Sequence, residues 1–322
     1  MHGFYFEHND KVNYDETNNI IYVKDIDKLK QDVAIISGGG SGHEPADIGY
    51  VGKGMLTAAV NGSIFTPPTV EQIVATTHLI PKDKSILFII KNFKDDVENF
   101  LAAKQIAKEE GRQIDHIIVN DDVSIEDDAS FNKRRQRRRW HCFRSKNTWC
   151  GTAESGHSLE ELTTIGQAVI KNLHTLGVAL SPANDPVKGK ASFTLNEDEV
   201  FYGVGIHGEK GYRKEALSSS EILAIELMNK LKSIYRWRKG DNFAILVNGL
   251  GTTPLMEQYI FANDIRRLCE LEKLQVKFVK VGTLLTSLDM KGVSLSLLKI
   301  EDLDWVKWLN ADVGVGNWQL KL

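Results

Sequence analysis

A short apolar run that leads into a cluster of glycines limits the fold of this chain more than any other stretch. Residues 33–36 read VAII and predict a buried strand. Residues 37–45 follow as SGGGSGHEP, with four glycines in five consecutive positions. Without side chains, the backbone there can turn tightly and bring its N–H groups against a small ligand. Because ligands of open α/β sheets bind at the carboxyl ends of strands, the stretch predicts an α/β fold with a ligand site at this point.

The glycine pattern does not match the two common nucleotide-binding motifs. A dinucleotide fingerprint counted from Gly38 places His43 at its third glycine, and one counted from Gly40 places Pro45 there. The phosphate-binding loop motif also fails, whether it is counted from Gly38 or from Gly49. The loop is therefore expected to take a ligand of phosphate size or smaller. The alternative is a plain glycine-rich turn, against which the His-Glu-Pro that follows favours a functional loop.

Two further apolar runs extend the predicted sheet. Residues 85–90 (SILFII) and 116–120 (HIIVN) predict strands, and residues 101–111 between them predict a helix that ends in glycine. This strand–helix–strand alternation predicts a parallel sheet. Lys91 and Asp96 follow the first of these strands, at the edge where α/β proteins place ligand contacts. For Asp96, a helix N-terminal carboxylate stabilised by the helix dipole is the open alternative.

Capping residues mark the start of two predicted helices. Thr69 precedes an apolar helical pattern and is a suitable N-cap. Ser158 is followed three residues later by Glu161, which completes a capping box. Apolar residues at helical spacing continue this second helix as far as Leu176.

The chain has 322 residues, which favours two domains. Residues 181–190 are rich in Pro, Gly, Asn and Asp, so we expect a linker there and domains at residues 1–183 and 184–322. The net charge of −3 gives no overall attraction to nucleic acid or anionic lipid. No apolar run approaches the ~20 residues that cross a bilayer. No signal peptide is evident and there are three cysteines, so a cytoplasmic setting is expected.

One histidine in the second half of the chain is distinguished by its neighbours. His207 lies in residues 202–209 (YGVGIHGE), between a predicted strand and a turn. The flanking glycines would expose its imidazole and let a ligand approach. A lone histidine is more often structural, and here both interpretations remain open. The chain has no His-Glu-x-x-His motif and no Cys/His cluster, so neither a metal nor a cofactor is expected.

Four segments resemble the DhaK family, the dihydroxyacetone-binding subunits of phosphotransferase-dependent dihydroxyacetone kinases. They are residues 37–45 (SGGGSGHEP), 49–56 (GYVGKGML), 203–209 (GVGIHGE) and 246–254 (LVNGLGTTP). They occur in the family's order, and the resemblance covers nearly the whole chain. It implies two α/β domains, each with a mainly parallel or mixed sheet flanked by helices. It also implies a ligand site at the domain junction and a homodimer.

The same resemblance implies a covalent site for dihydroxyacetone. His207 would add to the keto carbon and hold the ligand as a hemiaminal. Asp96 would act as the base toward a terminal hydroxyl, with His43 as a proton partner. The implied ligand-binding residues are Gly39, Gly40, Ser41, Gly42, His43, Lys91, Asp96 and His207. The chain offers no nucleotide loop, so phosphate would have to come from a separate L subunit that carries ADP.

Two departures from the kinase subunits favour a non-catalytic relative. The segment before residue 37 is shorter than the family's helical leader, and Lys94 and Asp95 stand where the kinases carry Thr-Gly. The lost glycine removes backbone freedom beside the site, and the added charges alter a surface that a partner would approach. We therefore expect a DhaQ-type sensor: a non-enzymatic coactivator that binds dihydroxyacetone and acts with a TetR-family regulator of the DhaS type on a kinase operon. The alternative is a catalytic K subunit.

One run of basic residues differs in composition from the rest of the chain. Residues 133–140 read KRRQRRRW. A nucleic-acid patch, and with it a direct DNA binder, is one interpretation, which the acidic net charge disfavours. A solvated surface loop is the second. The third, which we prefer, is that residues 136–150 are a frame-shifted translation, because a shift of one base can restore an apolar helix like that of the family. We assign no function to this stretch.

Overall fold

The computed structural model describes residues 1–123, 156–206, 211–315 and 318. The basic run, the stretch 136–150 and His207 lie outside the described residues, and so do the interpretations that depend on them. Within the ranges that the structure describes, no helix is both long enough and apolar enough to cross a membrane.

The chain forms two compact units. Of the described residues, the first unit holds 1–120, 156–169, 307–315 and 318. The second unit holds 121–123, 170–206 and 211–306.

The first unit is built on a six-stranded mixed sheet. Its strands are β1 (Val12–Asp15), β2 (Ile20–Val23), β3 (Val33–Ser41), β4 (Ala58–Ile64), β5 (Ser85–Lys91) and β6 (Ile114–Val119). The spatial order is β1-β2-β4-β3-β5-β6. Strands β4, β3, β5 and β6 are parallel neighbours, and β1 and β2 add antiparallel strands at one edge. The predicted parallel arrangement is therefore confirmed for the strands around the glycine cluster.

Two of the helices described in the first unit begin at the capping residues that the sequence predicts. The helices are α1 (His2–His8), α2 (Val70–His78), α3 (Lys94–Glu109) and α4 (Leu159–Lys171), the last of which crosses the boundary between the units. At α2, the Thr69 hydroxyl accepts from the Gln72 N–H, and the Gln72 side chain accepts from the Thr69 N–H. Ser158 and Glu161 form the same reciprocal pair at α4. Both predicted caps are confirmed.

A buried aromatic contact fixes α3 against the central strands. The ring of Phe100 on α3 meets the ring of Phe88 on β5 edge to face, with centroids 5.2 Å apart. Both side chains are fully buried in the core of the first unit. This contact holds α3, which carries Asp96 in its first turn, against the strand that ends in Lys91.

The glycines at residues 38–40 do not turn the chain, contrary to the prediction. β3 continues through them to Ser41. A Cβ on Gly38 would lie 2.2 Å from the Val60 carbonyl oxygen, and one on Gly40 would lie 2.7 Å from the Thr66 amide nitrogen. These glycines therefore allow neighbouring backbone to approach the strand closely. The left-handed backbone conformation that glycine favours comes at Gly42, where φ is 101°.

The second unit contains a six-stranded sheet that is mostly antiparallel. Its strands are β7 (Leu173–Ala179), β10 (Glu199–Tyr202), β11 (Arg213–Ala216), β12 (Asn242–Gly249), β13 (Gln275–Gly282) and β14 (Gly292–Lys299). The order is β11-β10-β7-β14-β12-β13, and β12 with β13 is the parallel pair. Helices α5 (Ser220–Tyr235) and α6 (Leu255–Leu271) pack on this sheet, and α7 (Leu303–Asn310) contains the sequence boundary between the units, after Val306. The predicted fold class, two mixed or parallel sheets flanked by helices, is confirmed.

The units divide the chain differently from the predicted boundary at residues 183 and 184. Strand β7, which precedes that boundary, pairs between β10 and β14 in the second sheet. The predicted helix ends at Lys171, because Leu176 and Val178 are needed in the core of the second unit. The predicted linker at residues 181–190 includes two short paired strands, β8 (Asn184–Asp185) and β9 (Lys190–Ala191).

Candidate functional site

The ends of β3 and β5 carry most of the predicted site residues. Gly39, Gly40 and Ser41 are the last three residues of β3, and Lys91 is the last residue of β5. Asp96 follows in the first turn of α3. All of these residues lie in the first unit, so parallel strand order alone brings them to one edge of one sheet.

His43 is held in a buried position by an aromatic neighbour. It lies two residues after β3, and 1% of its surface is exposed. Its ring stacks on the ring of Phe65, with centroids 5.0 Å apart and planes inclined by 27°. Phe65 directly follows β4 and has a left-handed backbone with φ 52°. The stacking helps to orient the imidazole, and the role of His43 as a proton partner stays a prediction.

Ser41, at the end of β3, and Gly42, which follows it, make hydrogen bonds inside the protein. The Ser41 hydroxyl donates to the Gly62 carbonyl oxygen at 2.7 Å. The Gly42 N–H donates to Oε2 of Glu44 at 2.9 Å. The first bond joins the ends of β3 and β4 and the second lies within the loop, so ligand contacts by Ser41 and Gly42 remain predictions.

Lys91 forms a buried ion pair that the sequence did not reveal. Its Nζ lies 2.5 Å from Oδ2 of Asp47, and 3% of each side chain is exposed. The Ser37 hydroxyl donates to the Ile89 carbonyl oxygen at 2.9 Å and lies 3.4 Å from the other Asp47 carboxylate oxygen. A Cβ on Gly39 would lie 2.4 Å from the Lys91 Nζ. The missing side chain at Gly39 thus leaves the space that the ammonium group occupies.

Asp96 is buried in the same electrostatic environment. It is 5% exposed, and its Oδ1 has no hydrogen-bond partner among the residues that the structure describes. Burial raises the pKa of Asp96 to about 7. The Lys91 ammonium opposes this rise, whereas the negative charges of Asp47 and Asp95 add to it. Asp96 is therefore placed as an N-terminal helix carboxylate, the alternative considered from sequence, and also as a group that can exchange a proton near neutral pH.

The structure brings several of the predicted site residues together. Gly39, Lys91 and Asp96 share one buried cluster with Asp47. Gly40 meets the backbone at residues 65 and 66, in the segment that carries the ring stacked on His43. His207 lies outside the described residues, so its role as the point of ligand attachment stays a prediction.

Asp47 and Phe65 are site residues that the sequence analysis missed. Asp47 is the one charged residue in residues 46–51 (ADIGYV), and that isolation in an apolar stretch was the available signal for a buried partner. Phe65 gave no comparable signal, because an aromatic residue after a strand is ordinarily part of the core. Among the described residues, no group of three His, Cys, Asp or Glu side chains is placed to hold a metal ion.

The chain is similar to proteins of known family. Residues 2–315 match the Dak1 domain. The DhaKLM operon coactivator DhaQ of Lactococcus lactis is 46% identical over 288 residues, which cover 89% of this chain and 87% of that protein. The dihydroxyacetone-binding subunit DhaK of a PTS-dependent dihydroxyacetone kinase from the same species is 44% identical over 286 residues, which cover 89% and 86%. The solved structure of a dihydroxyacetone kinase operon co-activator, DhaQ, has a TM-score of 0.91 at 41% identity and covers 98% of this chain and 96% of that one.

Proposed function

Because the chain belongs to the Dak1 domain family, we propose that it binds dihydroxyacetone and acts as a coactivator of a dihydroxyacetone kinase operon. It does not itself transfer phosphate. It works with a TetR-family regulator, which makes the contacts to DNA, and it acts as a homodimer in the cytoplasm. These finer assignments follow the resemblance to DhaQ, a protein named for its role as an operon coactivator.

The buried cluster of Lys91, Asp47 and Asp96 is the observation that carries the ligand assignment. Charged side chains are costly to bury, so their concentration at the ends of β3 and β5 points to a ligand site. The Lys91 ammonium can donate to a hydroxyl, and the Asp96 carboxylate can accept from one. A triose, with two hydroxyls and one carbonyl, matches a site of this polarity.

His207 supplies the covalent attachment in this proposal. A neutral imidazole nitrogen adds to the keto carbon of dihydroxyacetone, and the carbon–nitrogen bond forms as the carbonyl π electrons move to oxygen. The new oxygen takes up a proton and the imidazole gives one up, so the step needs no co-reactant. His43 and Asp96 are the groups available to carry these protons. Glycerol has no carbonyl and cannot form this bond.

Two observations support a coactivator. The solved DhaQ structure matches 98% of the chain with a TM-score of 0.91. Helix α3 begins with the exposed residues Lys94 and Asp95, and Lys94 lies 3.9 Å from Glu98. These charges stand on the surface next to Asp96, where a phosphate-donating subunit would have to approach.

A catalytic K subunit is the second candidate, and one observation favours it. Burial raises the pKa of Asp96 to about 7, so its carboxylate is suited to accept a proton from a hydroxyl at neutral pH. In that case an L subunit with ADP would supply the phosphate. The DhaK relative, at 44% identity, is nearly as similar as DhaQ.

A phosphate-transfer assay separates the two functions. The protein is mixed with an L subunit, ADP, the phosphorylated donor and dihydroxyacetone, with an authentic DhaK subunit as the parallel control. We expect no dihydroxyacetone phosphate above background, together with dihydroxyacetone-dependent binding to a TetR-family regulator. Turnover comparable to the control would overturn the coactivator proposal and establish the kinase subunit.

A further inference from the structure

We propose that Asp47 is a positioning residue of the ligand site: it holds the Lys91 ammonium beneath β3 and takes up its charge, so that Asp96 is left as the proton-exchanging group. The consequence of this charge distribution for dihydroxyacetone binding rests on the proposed function, whereas the charge distribution itself can be measured without any ligand.

The geometry shows that Asp47 is built into its position. Its Oδ2 lies 2.5 Å from the Lys91 Nζ, and the Ser37 hydroxyl lies 3.4 Å from its Oδ1. Its backbone has φ 59° and ψ −68°, a conformation that costs a non-glycine residue free energy. Such a conformation persists only where the surroundings hold it, and Asp47 is 2% exposed. The strained backbone therefore serves to aim the carboxylate at Lys91.

The fit of Lys91 under the strand is equally specific. The Nζ occupies the space where a side chain at residue 39 would begin, since a Cβ on Gly39 would lie 2.4 Å away. Lys91 acts electrostatically on two buried carboxylates, Asp47 and Asp96. It makes its short contact with Asp47, whereas Oδ1 of Asp96 has no hydrogen-bond partner within the described part of the chain.

The charges around Asp96 determine how the Asp47–Lys91 ion pair affects its pKa. The charged groups that act on it are Lys91 on β5, Asp47 before the short 3-10 turn Ile48–Tyr50, and Asp95 on α3. The Lys91 ammonium lowers the pKa of Asp96 and the Asp47 carboxylate raises it, so the pairing offsets much of the effect of Lys91. Burial then dominates, in agreement with the raised pKa of this carboxyl group. Asp47 thus prevents Lys91 from fixing Asp96 in its charged form.

The test measures the titration of Asp96 directly, without ligand. Carboxyl infrared bands are recorded against pH for the wild type, and the Asp96 band is assigned by its absence in Asp96→Asn. In Asp47→Asn no carboxylate offsets the positive charge of Lys91, so the midpoint of the Asp96 titration should fall by about one to two pH units. The matched control is Asp95→Asn, which removes an exposed carboxylate from the same helical turn and should move the midpoint much less. An unchanged or higher midpoint in Asp47→Asn would overturn the proposal.

A double variant gives the same test without an unpaired buried charge. Replacing a buried ion pair by apolar residues of similar size is often well tolerated, so Lys91→Met with Asp47→Leu should fold even where Asp47→Asn does not. Cancelling charges predict that its Asp96 midpoint stays within about half a pH unit of the wild type. A rise of more than about two units would show that Lys91 is the counterion of Asp96, and the proposal would be wrong.

Dihydroxyacetone titrations then separate this inference from the proposed function. If the wild type binds dihydroxyacetone more tightly as Asp96 loses its proton, the pH profile of affinity in Asp47→Asn should shift down by the same amount as the infrared midpoint. A shifted infrared midpoint in a wild type that binds no dihydroxyacetone would sustain the charge distribution and refute the ligand assignment. Normal binding of dihydroxyacetone with no shift in either midpoint would support the ligand assignment and refute the proposed charge distribution.

Discussion

The buried carboxyl group of Asp96 makes the stability of the protein depend on pH in a calculable way. The folded state holds the Asp96 proton up to a pKa of about 7, whereas the ordinary value of 3.8 applies when the chain is unfolded. Between these two values the unfolded state binds fewer protons, so the free energy of unfolding falls as pH rises. The contribution of Asp96 is fully present below pH 3.8 and is lost as pH rises through about 7.

The magnitude follows from the shift. Each pH unit between the two pKa values lowers the free energy of unfolding by about 1.4 kcal/mol, and the slope flattens as the folded state titrates. The loss between pH 5 and pH 7 is therefore about 2 kcal/mol. The Asp96→Asn variant has no titrating group at this position and nearly the same shape. Its stability relative to the wild type should increase by about 2 kcal/mol over the same range.

Urea unfolding followed by tryptophan fluorescence measures this difference. The wild type and Asp96→Asn are unfolded at a series of pH values from mildly acidic to mildly basic, and the variant-minus-wild-type difference is plotted against pH. Other titrating groups cancel in that difference unless they couple to Asp96. Asp95→Asn, which removes an exposed carboxylate from the same helical turn and leaves Asp96 in place, is the control. A flat line for Asp96→Asn would refute the raised pKa and, with it, the proton-exchanging role of this residue.

Three further substitutions test other parts of the account. Gly38→Ala places a Cβ 2.2 Å from the Val60 carbonyl oxygen, so the free energy of unfolding measured in urea should fall by about 1–3 kcal/mol. Wild-type stability would contradict the close backbone approach. Thr69→Ala removes the cap that accepts from the Gln72 N–H, and thermal unfolding should show a loss of about 1 kcal/mol. Lys91→Met leaves a buried carboxylate without its cation, so calorimetry at mildly basic pH should show a free energy of unfolding lower by about 3–5 kcal/mol. The loss should be smaller at mildly acidic pH, and an equal loss at both would argue against the ion pair.

The sequence predicted the sheet of the first unit because its strands are nearly continuous apolar runs. Residues 33–36 and 85–90 form buried parallel strands as expected, and the caps at Thr69 and Ser158 lie where their side-chain chemistry requires. The resemblance to the DhaK family is also confirmed by the relatives. Such features depend on local pattern, which a single sequence records.

The features that sequence reasoning missed depend on partners far apart in the chain. The Asp47–Lys91 pair joins residues 44 positions apart, and the local sequence around either residue does not identify its partner. The helical spacing through Leu176 was misleading, because the second core needs β7 as a strand between β10 and β14. The glycines at residues 38–40 were interpreted as a turn, although a strand that neighbouring backbone approaches closely also requires glycines.

The proposed covalent capture of dihydroxyacetone at His207 is tested most directly by non-denaturing mass spectrometry of the intact chain, with glycerol as the matched ligand. We predict a mass increase of one dihydroxyacetone per chain in the wild type, no adduct with glycerol, and no adduct in His207→Ala. A wild type without the adduct, or a His207→Ala variant that carries it equally, would contradict the account.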